Sequence, residues 1–228
     1  MKEYLRDTGE NDLVDRLISL ITLSADVIVG PGDDCAVIEP AGDSGNLQLL
    51  KTDCIIEGVH FAPGTDPERV GWKAVCRVLS DIAAMGGSPE HALVTLAVDG
   101  DREIREIEGW YRGMQRASTE VGRFVLVGGE TASLPQTGAL ISIAMTGSVP
   151  RDGFITRSGS RPGDWIAVTG RLGGSFESGR HLTFHPRLPE GRWLAALPPH
   201  LRPTAMMDIS DGLSQDLPRL ADASGVPG

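Results

Sequence analysis

Apolar and polar positions alternate along this 228-residue chain in patterns that separate helices from strands. Leu13, Val14, Leu17, Ile18 and Ile21 repeat at helical spacing and predict a helix over 10–22 with one face for a core. Short apolar runs at Val27–Val29, Cys35–Ile38 and Leu47–Ile56 predict strands. A helix is expected over Asp66–Ala84, with Pro67 near its start, where the missing amide costs nothing. A strand over Ala92–Val98 follows, then an amphipathic helix over Asp101–Val121 with Ile104, Ile107, Trp110, Tyr111, Met114 and Val121 on one side. Phe124–Val127 and Ala139–Val149 predict two further strands. Near Pro150 the pattern gives way to glycine, arginine and proline, which places a domain boundary there. Beyond it the sequence predicts a strand from Trp165 to Val168, a helix over Gly174–Leu182, a Pro-rich connector, a strand over Ala205–Asp208 and a helix over Gly212–Ala223. Alternating strands and helices argue for an α/β or α+β protein.

Composition narrows the function. The formal charge is -10, which disfavours nucleic-acid binding, and 5% aromatic content leaves few stacking platforms for single strands. The 29 glycines and 15 prolines sit beside 40% hydrophobic residues, so they indicate turns and not disorder. No apolar run approaches the ~18 residues of a membrane span, and the first residues lack the apolar core of a signal peptide. Cys35, Cys54 and Cys76 form no CxxC pair, which suits reduced packing residues in a cytoplasmic protein.

Carboxylates recur beside glycines or small polar residues, in Gly32-Asp33-Asp34, Lys51-Thr52-Asp53, Leu79-Ser80-Asp81, Gly128-Gly129-Glu130 and Asp208-Ile209-Ser210-Asp211-Gly212. Taken singly, each is an ordinary cap or turn. Together, and placed at strand ends, they would converge on one sheet edge, where α/β proteins build sites. Two such carboxylates ~4 Å apart repel by about 4 kcal/mol at an effective dielectric near 20. A divalent cation relieves that repulsion, and hard oxygen donors favour Mg²⁺ with a polyphosphate as the third partner. No GxxxxGK[ST] or GxGxxG motif is present. A phosphate site then falls to metals, Gly128-Gly129 and a cation, for which Arg157 is the best candidate. His181 and His185 have i, i+4 spacing but no zinc-site context and are expected to be structural.

Five ordered segments closely resemble the thiamine-monophosphate kinase family. They are Gly30-Pro31-Gly32-Asp33-Asp34-Cys35-Ala36-Val37, Thr52-Asp53 with Glu57-Gly58-Val59-His60-Phe61, Leu79-Ser80-Asp81-Ile82-Ala83-Ala84-Met85-Gly86-Gly87, Thr156-Arg157-Ser158-Gly159 leading to Pro162-Gly163-Asp164-Trp165, and Asp208-Ile209-Ser210-Asp211-Gly212-Leu213. The Glu57–Phe61 segment separates this family from sibling synthetases of the same superfamily. The resemblance implies a two-domain synthetase-like fold. A dimerising N-terminal sheet domain (1–148), with helices on one face, precedes a partial C-terminal α/β domain (149–228). It implies ATP-dependent phosphorylation of thiamine monophosphate in a homodimer, with several Mg²⁺ ions. By the same resemblance, Asp34, Thr52, Asp53, Asp81, Glu130, Asp208 and Asp211 would hold metal. Gly129, Glu130, Arg157 and Ser210 would contact ATP, and His60 the acceptor.

The chain departs from that family at Glu130 (often Asp), Lys51 (a small hydroxyl residue is usual) and Val78 (commonly Asn). It also stops at Gly228, before the family's later substrate-side segment, so an incomplete acceptor site is expected. Two alternatives stand beside the kinase. One is a sibling synthetase with another acceptor, and the other is a metal- and nucleotide-binding module without turnover.

Overall fold

The computed structural model describes residue 4, residues 9–42 and residues 45–226. Six strands form one mixed sheet in the order β1-β2-β3-β6-β4-β5. They are β1 (Val27–Val29), β2 (Ala36–Ile38), β3 (Asn46–Ile56), β4 (Ser88–Asp99), β5 (Val125–Leu134) and β6 (Ala139–Pro150). Among the described strand pairs only β4 and β5 run parallel, joined by a crossover through helix α3 (Ile104–Ala117); the other pairs are antiparallel. The expected strands of the first 150 residues therefore all form, several longer than their apolar runs.

Strand alternation sorts β3, β4 and β6 into two faces. Leu47, Leu49, Ile55, Val94, Leu96, Ile141, Ile143 and Met145 are buried beneath helix α2 (Pro67–Ala84) and α3. Asp66 caps α2 by accepting the Arg69 N–H at 3.0 Å, and Pro67 takes the first turn. The two helices cross backbone to backbone. A Cβ on Gly71 would fall 1.9 Å from the Trp110 carbonyl oxygen, and one on Gly113 1.9 Å from that of Glu68. The opposite sheet face stays open, with Leu50, Ile56 and Leu93 exposed.

Several expectations need correction. Helix α1 (Glu10–Ile18) forms, but Val14 and Leu17 are about half exposed, so its apolar face does not enter the core. The helix expected to reach Val121 ends as α at Ala117 and closes in a wide π turn, Ser118–Gly122, with Arg123 left-handed at φ 52°. Trp165–Val168 and Ala205–Asp208 are not strands, and Gly174–Leu182 is a run of turns ending in a 3₁₀ turn, Arg180–Leu182. Strands need neighbours to satisfy their amides, and among the described residues beyond Pro150 none pairs as a strand. Trp165 is 98% exposed. Two helices do form there, α4 (Leu188–Ala195) and α5 (Leu213–Ala223). α4 lies tight on the end of α2, where a Cβ on Gly191 would meet the Ala83 carbonyl oxygen at 2.1 Å.

Candidate functional site

Three carboxylates from distant parts of the chain meet at the C-terminal end of α2. Asp34 comes from the turn before β2, Asp81 from α2 itself and Asp208 from the loop before α5; one oxygen of each lies within 4.8 Å of the others. Asp34 and Asp81 are buried, and Asp208 is half-buried and hydrogen-bonded to Ser80. Asp216, 1% exposed, shapes the Asp208 loop by accepting the backbone N–H groups of Ser210, Asp211 and Gly212 at 2.9, 3.0 and 2.9 Å. Removing that acceptor strands three amides. Asp216→Ala is expected to cost about 2–4 kcal/mol by urea denaturation, and a loss below about 0.5 kcal/mol would show that the loop holds itself.

Two cations hold the group together. The Arg157 guanidinium pairs with Asp34 Oδ1, its Nε at 3.1 Å, while its backbone N–H donates to Asp33. Lys51 Nζ lies 2.9 Å from Asp81 Oδ1. These cations do not fully compensate the site. Burial first, then the neighbouring Asp208 charge, pushes the Asp34 carboxyl up to about 7 and that of Asp81 up to about 8; burial also raises Asp208. The other Asp34 oxygen, Oδ2, is buried without any hydrogen-bond partner. An orphaned carboxylate oxygen beside two more hard oxygens fits a small divalent ion well.

The raised acids make a stability prediction for metal-free protein. The folded chain keeps protons up to about pH 7–8 that the unfolded chain releases near pH 4. Their contribution is full below pH 4 and is lost as pH rises through 7–8, at up to roughly 1.4 kcal/mol per pH unit for each proton. In chelator-treated protein the urea midpoint should therefore fall between pH 5 and 8. A midpoint that rises over that range would show these acids already ionised.

The remaining expected site residues lie elsewhere. Asp53 sits within β3, not at its end, facing α2, and forms a two-point pair with Arg77, 2.8 Å from Nε and 3.3 Å from the terminal nitrogen; it is not part of the three-carboxylate group. Asp211 pairs with Arg219 at 2.6 Å, and Ser210 is exposed beside it. Thr52 follows Lys51 on β3 and so points to the open face of the sheet. Glu130 lies in register with Thr95 and, through Ser142, with Cys54, which puts it on that same open face. Gly129 lies inside β5, so close to β4 that a Cβ would fall 1.8 Å from the Val94 oxygen.

His60 accepts the Ile56 N–H on Nδ1 at 3.0 Å. Burial, Arg77 and Lys73 lower its pKa, so the ring is neutral with its proton on Nε2. Lys73 donates to the His60 carbonyl and approaches His181 Nδ1 at 2.8 Å; burial and then Arg77 push its amine down to about 8. Lys73, Arg77, Ser80 and Asp216 escaped sequence reasoning. Lys73, Arg77 and Asp81 follow one another at four-residue spacing on α2, with Ser80 beside Asp81, and this is the one signal that could have found the three on that helix.

Comparison with known proteins places this geometry. The model of the AIR synthase related protein N-terminal domain matches residues 32–149. The thiamine-monophosphate kinase of Aquifex aeolicus (strain VF5) is 38% identical over 236 residues, spanning 97% of this chain and 73% of the relative. This chain belongs to the thiamine-monophosphate kinase family. The enzyme of Escherichia coli (strain K12) is 32% identical, over 95% of this chain and 69% of its own length. Among solved structures, AaThiL complexed with AMPPCP and TMP superposes with a TM-score of 0.84 at 32% identity, over 99% of this chain and 73% of that one. The HypE–HypF complex, at 18% identity and a TM-score of 0.68, shares the fold. The fold is a mixed sheet with helices, like that of the superposed AaThiL. Among the described residues no helix is long and apolar enough to cross a membrane.

Proposed function

We propose that this chain transfers the γ-phosphoryl group of ATP to thiamine monophosphate, giving thiamine diphosphate, with Mg²⁺ held by Asp34, Asp81 and Asp208. The observation that carries this is the three-carboxylate group with its orphaned Asp34 oxygen, set beside Arg157 in a member of this kinase family. Bound Mg²⁺ would neutralise charge on the phosphates and orient them. The rest is positioning by the chain. Arg157 moves its fork from Asp34 to the nucleotide phosphates, a charge-assisted contact suited to guanidinium geometry. The Ser210–Gly212 turn, held by Asp216, presents the loop next to it. His60, neutral, offers its Nε2–H to the acceptor. A loose phosphoryl-transfer transition state asks for little else than alignment and charge.

Asp53 and Asp211 would serve as further ligands by exchanging their arginines, Arg77 and Arg219, for ions. Thr52, Gly129 and Glu130 face or border the open side of the sheet, so their role in metal or nucleotide binding would need that side covered. We assign the cover to a second copy, in a homodimer joined through the exposed Leu50, Ile56 and Leu93 face. The boundary near residue 149 marks the end of that sheet domain, and the enzyme works in the cytoplasm.

The test is chromatographic assay of thiamine diphosphate from thiamine monophosphate and Mg·ATP by the purified chain. One ADP per thiamine diphosphate is expected. ADP release that is indifferent to thiamine monophosphate, or that follows another acceptor, would overturn the assignment.

A further inference from the structure

Lys51 is an unusual neighbour for a metal-binding carboxylate. Its ammonium lies 2.9 Å from Asp81 Oδ1, and its side chain is only 22% exposed. The two cations of the group differ in how they are held. Arg157 stands on an irregular segment after β6, from which it can leave Asp34 when an anion arrives. Lys51 stands in the middle of β3, opposite Met145 of β6 in a register unbroken from Asn46 to Ile56 and next to the Gln48–Leu50 stretch that also pairs with β2. Its backbone cannot retreat without breaking the sheet, and its ammonium has a buried carboxylate to stay for.

We propose that the Lys51 ammonium is a resident counter-ion of the carboxylate group, occupying one cation position so that the group takes up a single divalent ion in the absence of nucleotide. This rests on Asp34, Asp81 and Asp208 being a divalent-ion site. The ion is then held through the free Asp34 Oδ2, Asp208 and what Asp81 has left, while Oδ1 of Asp81 belongs to the lysine. Ammonium and metal compete for the same oxygens and repel each other, so removing the ammonium should both tighten the first ion and admit a second.

The experiment is a Mn²⁺ titration without nucleotide, read by electron paramagnetic resonance of free Mn²⁺. It compares the parent protein with Lys51→Met, Lys51→Gln and Lys51→Arg. The parent should bind one equivalent at this group. Lys51→Met should bind at least tenfold more tightly with a second equivalent appearing, and Lys51→Arg should match the parent. Lys51→Gln keeps a hydrogen-bond donor for Asp81 and guards against failure of the methionine variant to fold. A second measurement needs no variant: with ε-¹³C-labelled lysine, the Lys51 resonance should broaden beyond detection at the first equivalent of Mn²⁺. Unchanged or weaker Mn²⁺ binding by the charge-free variants, or an unbroadened Lys51 signal, overturns the proposal. Asp208→Asn separates the two levels. If it leaves Mn²⁺ binding by the parent unaffected, the metal site itself is wrong. If it abolishes binding while loss of the lysine charge changes nothing, only the role of Lys51 falls.

Discussion

Asp34→Asn is expected to lower thiamine diphosphate formation by on the order of 10³-fold and to remove Mn²⁺ binding at the three-carboxylate group. Asp34 is fully buried, contributes the only buried carboxylate oxygen without a partner among the described residues, and anchors Arg157 through the other. Asparagine has nearly the same shape, so the turn before β2 should persist. What disappears is the charge. Removing one preorganised electrostatic contact to charge that develops in a reaction costs on the order of 10²–10³ in rate. Both partners are hit, because the metal loses a ligand charge and Arg157 loses the contact that parks it beside the site. Turnover with saturating Mg·ATP, alongside near-ultraviolet circular dichroism to confirm folding, decides the matter. A folded variant within tenfold of the parent would remove Asp34 from the site.

Gly113→Ala should destabilise the protein by about 3 kcal/mol or more, against the usual rule. In an exposed helix the same change gains up to about 1 kcal/mol. Here the new methyl would fall 1.9 Å from the Glu68 carbonyl oxygen and 2.9 Å from the Trp72 nitrogen, both of them backbone atoms of α2 that no rotamer change can move. The helices must separate, and buried Trp110, Met114 and Val75 lose their packing. For a chain of this size the cost corresponds to a fall of roughly 6–12 °C in Tm. Gly71→Ala should behave alike. The double variant should cost less than the sum, because one separation relieves both clashes. A Tm within 2 °C of the parent for Gly113→Ala would show that the crossing is looser than its geometry. Since α2 also carries Lys73, Arg77, Ser80 and Asp81, binding at the site should weaken with the fold.

The sequence by itself determined the sheet domain. All six strands, α2 and α3 follow from apolar alternation or helical spacing, because each buries one face against the same core and the pattern records that burial directly. It also determined, through ordered motifs, the family, and it singled out Asp34, Asp81 and Asp208 among the acids, which the fold brings together. It misplaced Trp165–Val168 and Ala205–Asp208, since an apolar run specifies a strand only where a neighbouring strand supplies its hydrogen bonds. It put Glu130 at a strand end when β5 runs on past it, and it grouped Asp53 with strand-end acids although that residue lies inside β3. What only the tertiary structure decided is which charges face each other. Lys51 meets Asp81 across 30 residues, Arg157 meets Asp34 across 123, and Asp53 turns to Arg77 instead of joining the other acids. Local pattern carries no information on such partners, because the free energy of a buried charge depends on what the fold brings within a few ångströms of it and not on its neighbours in the chain.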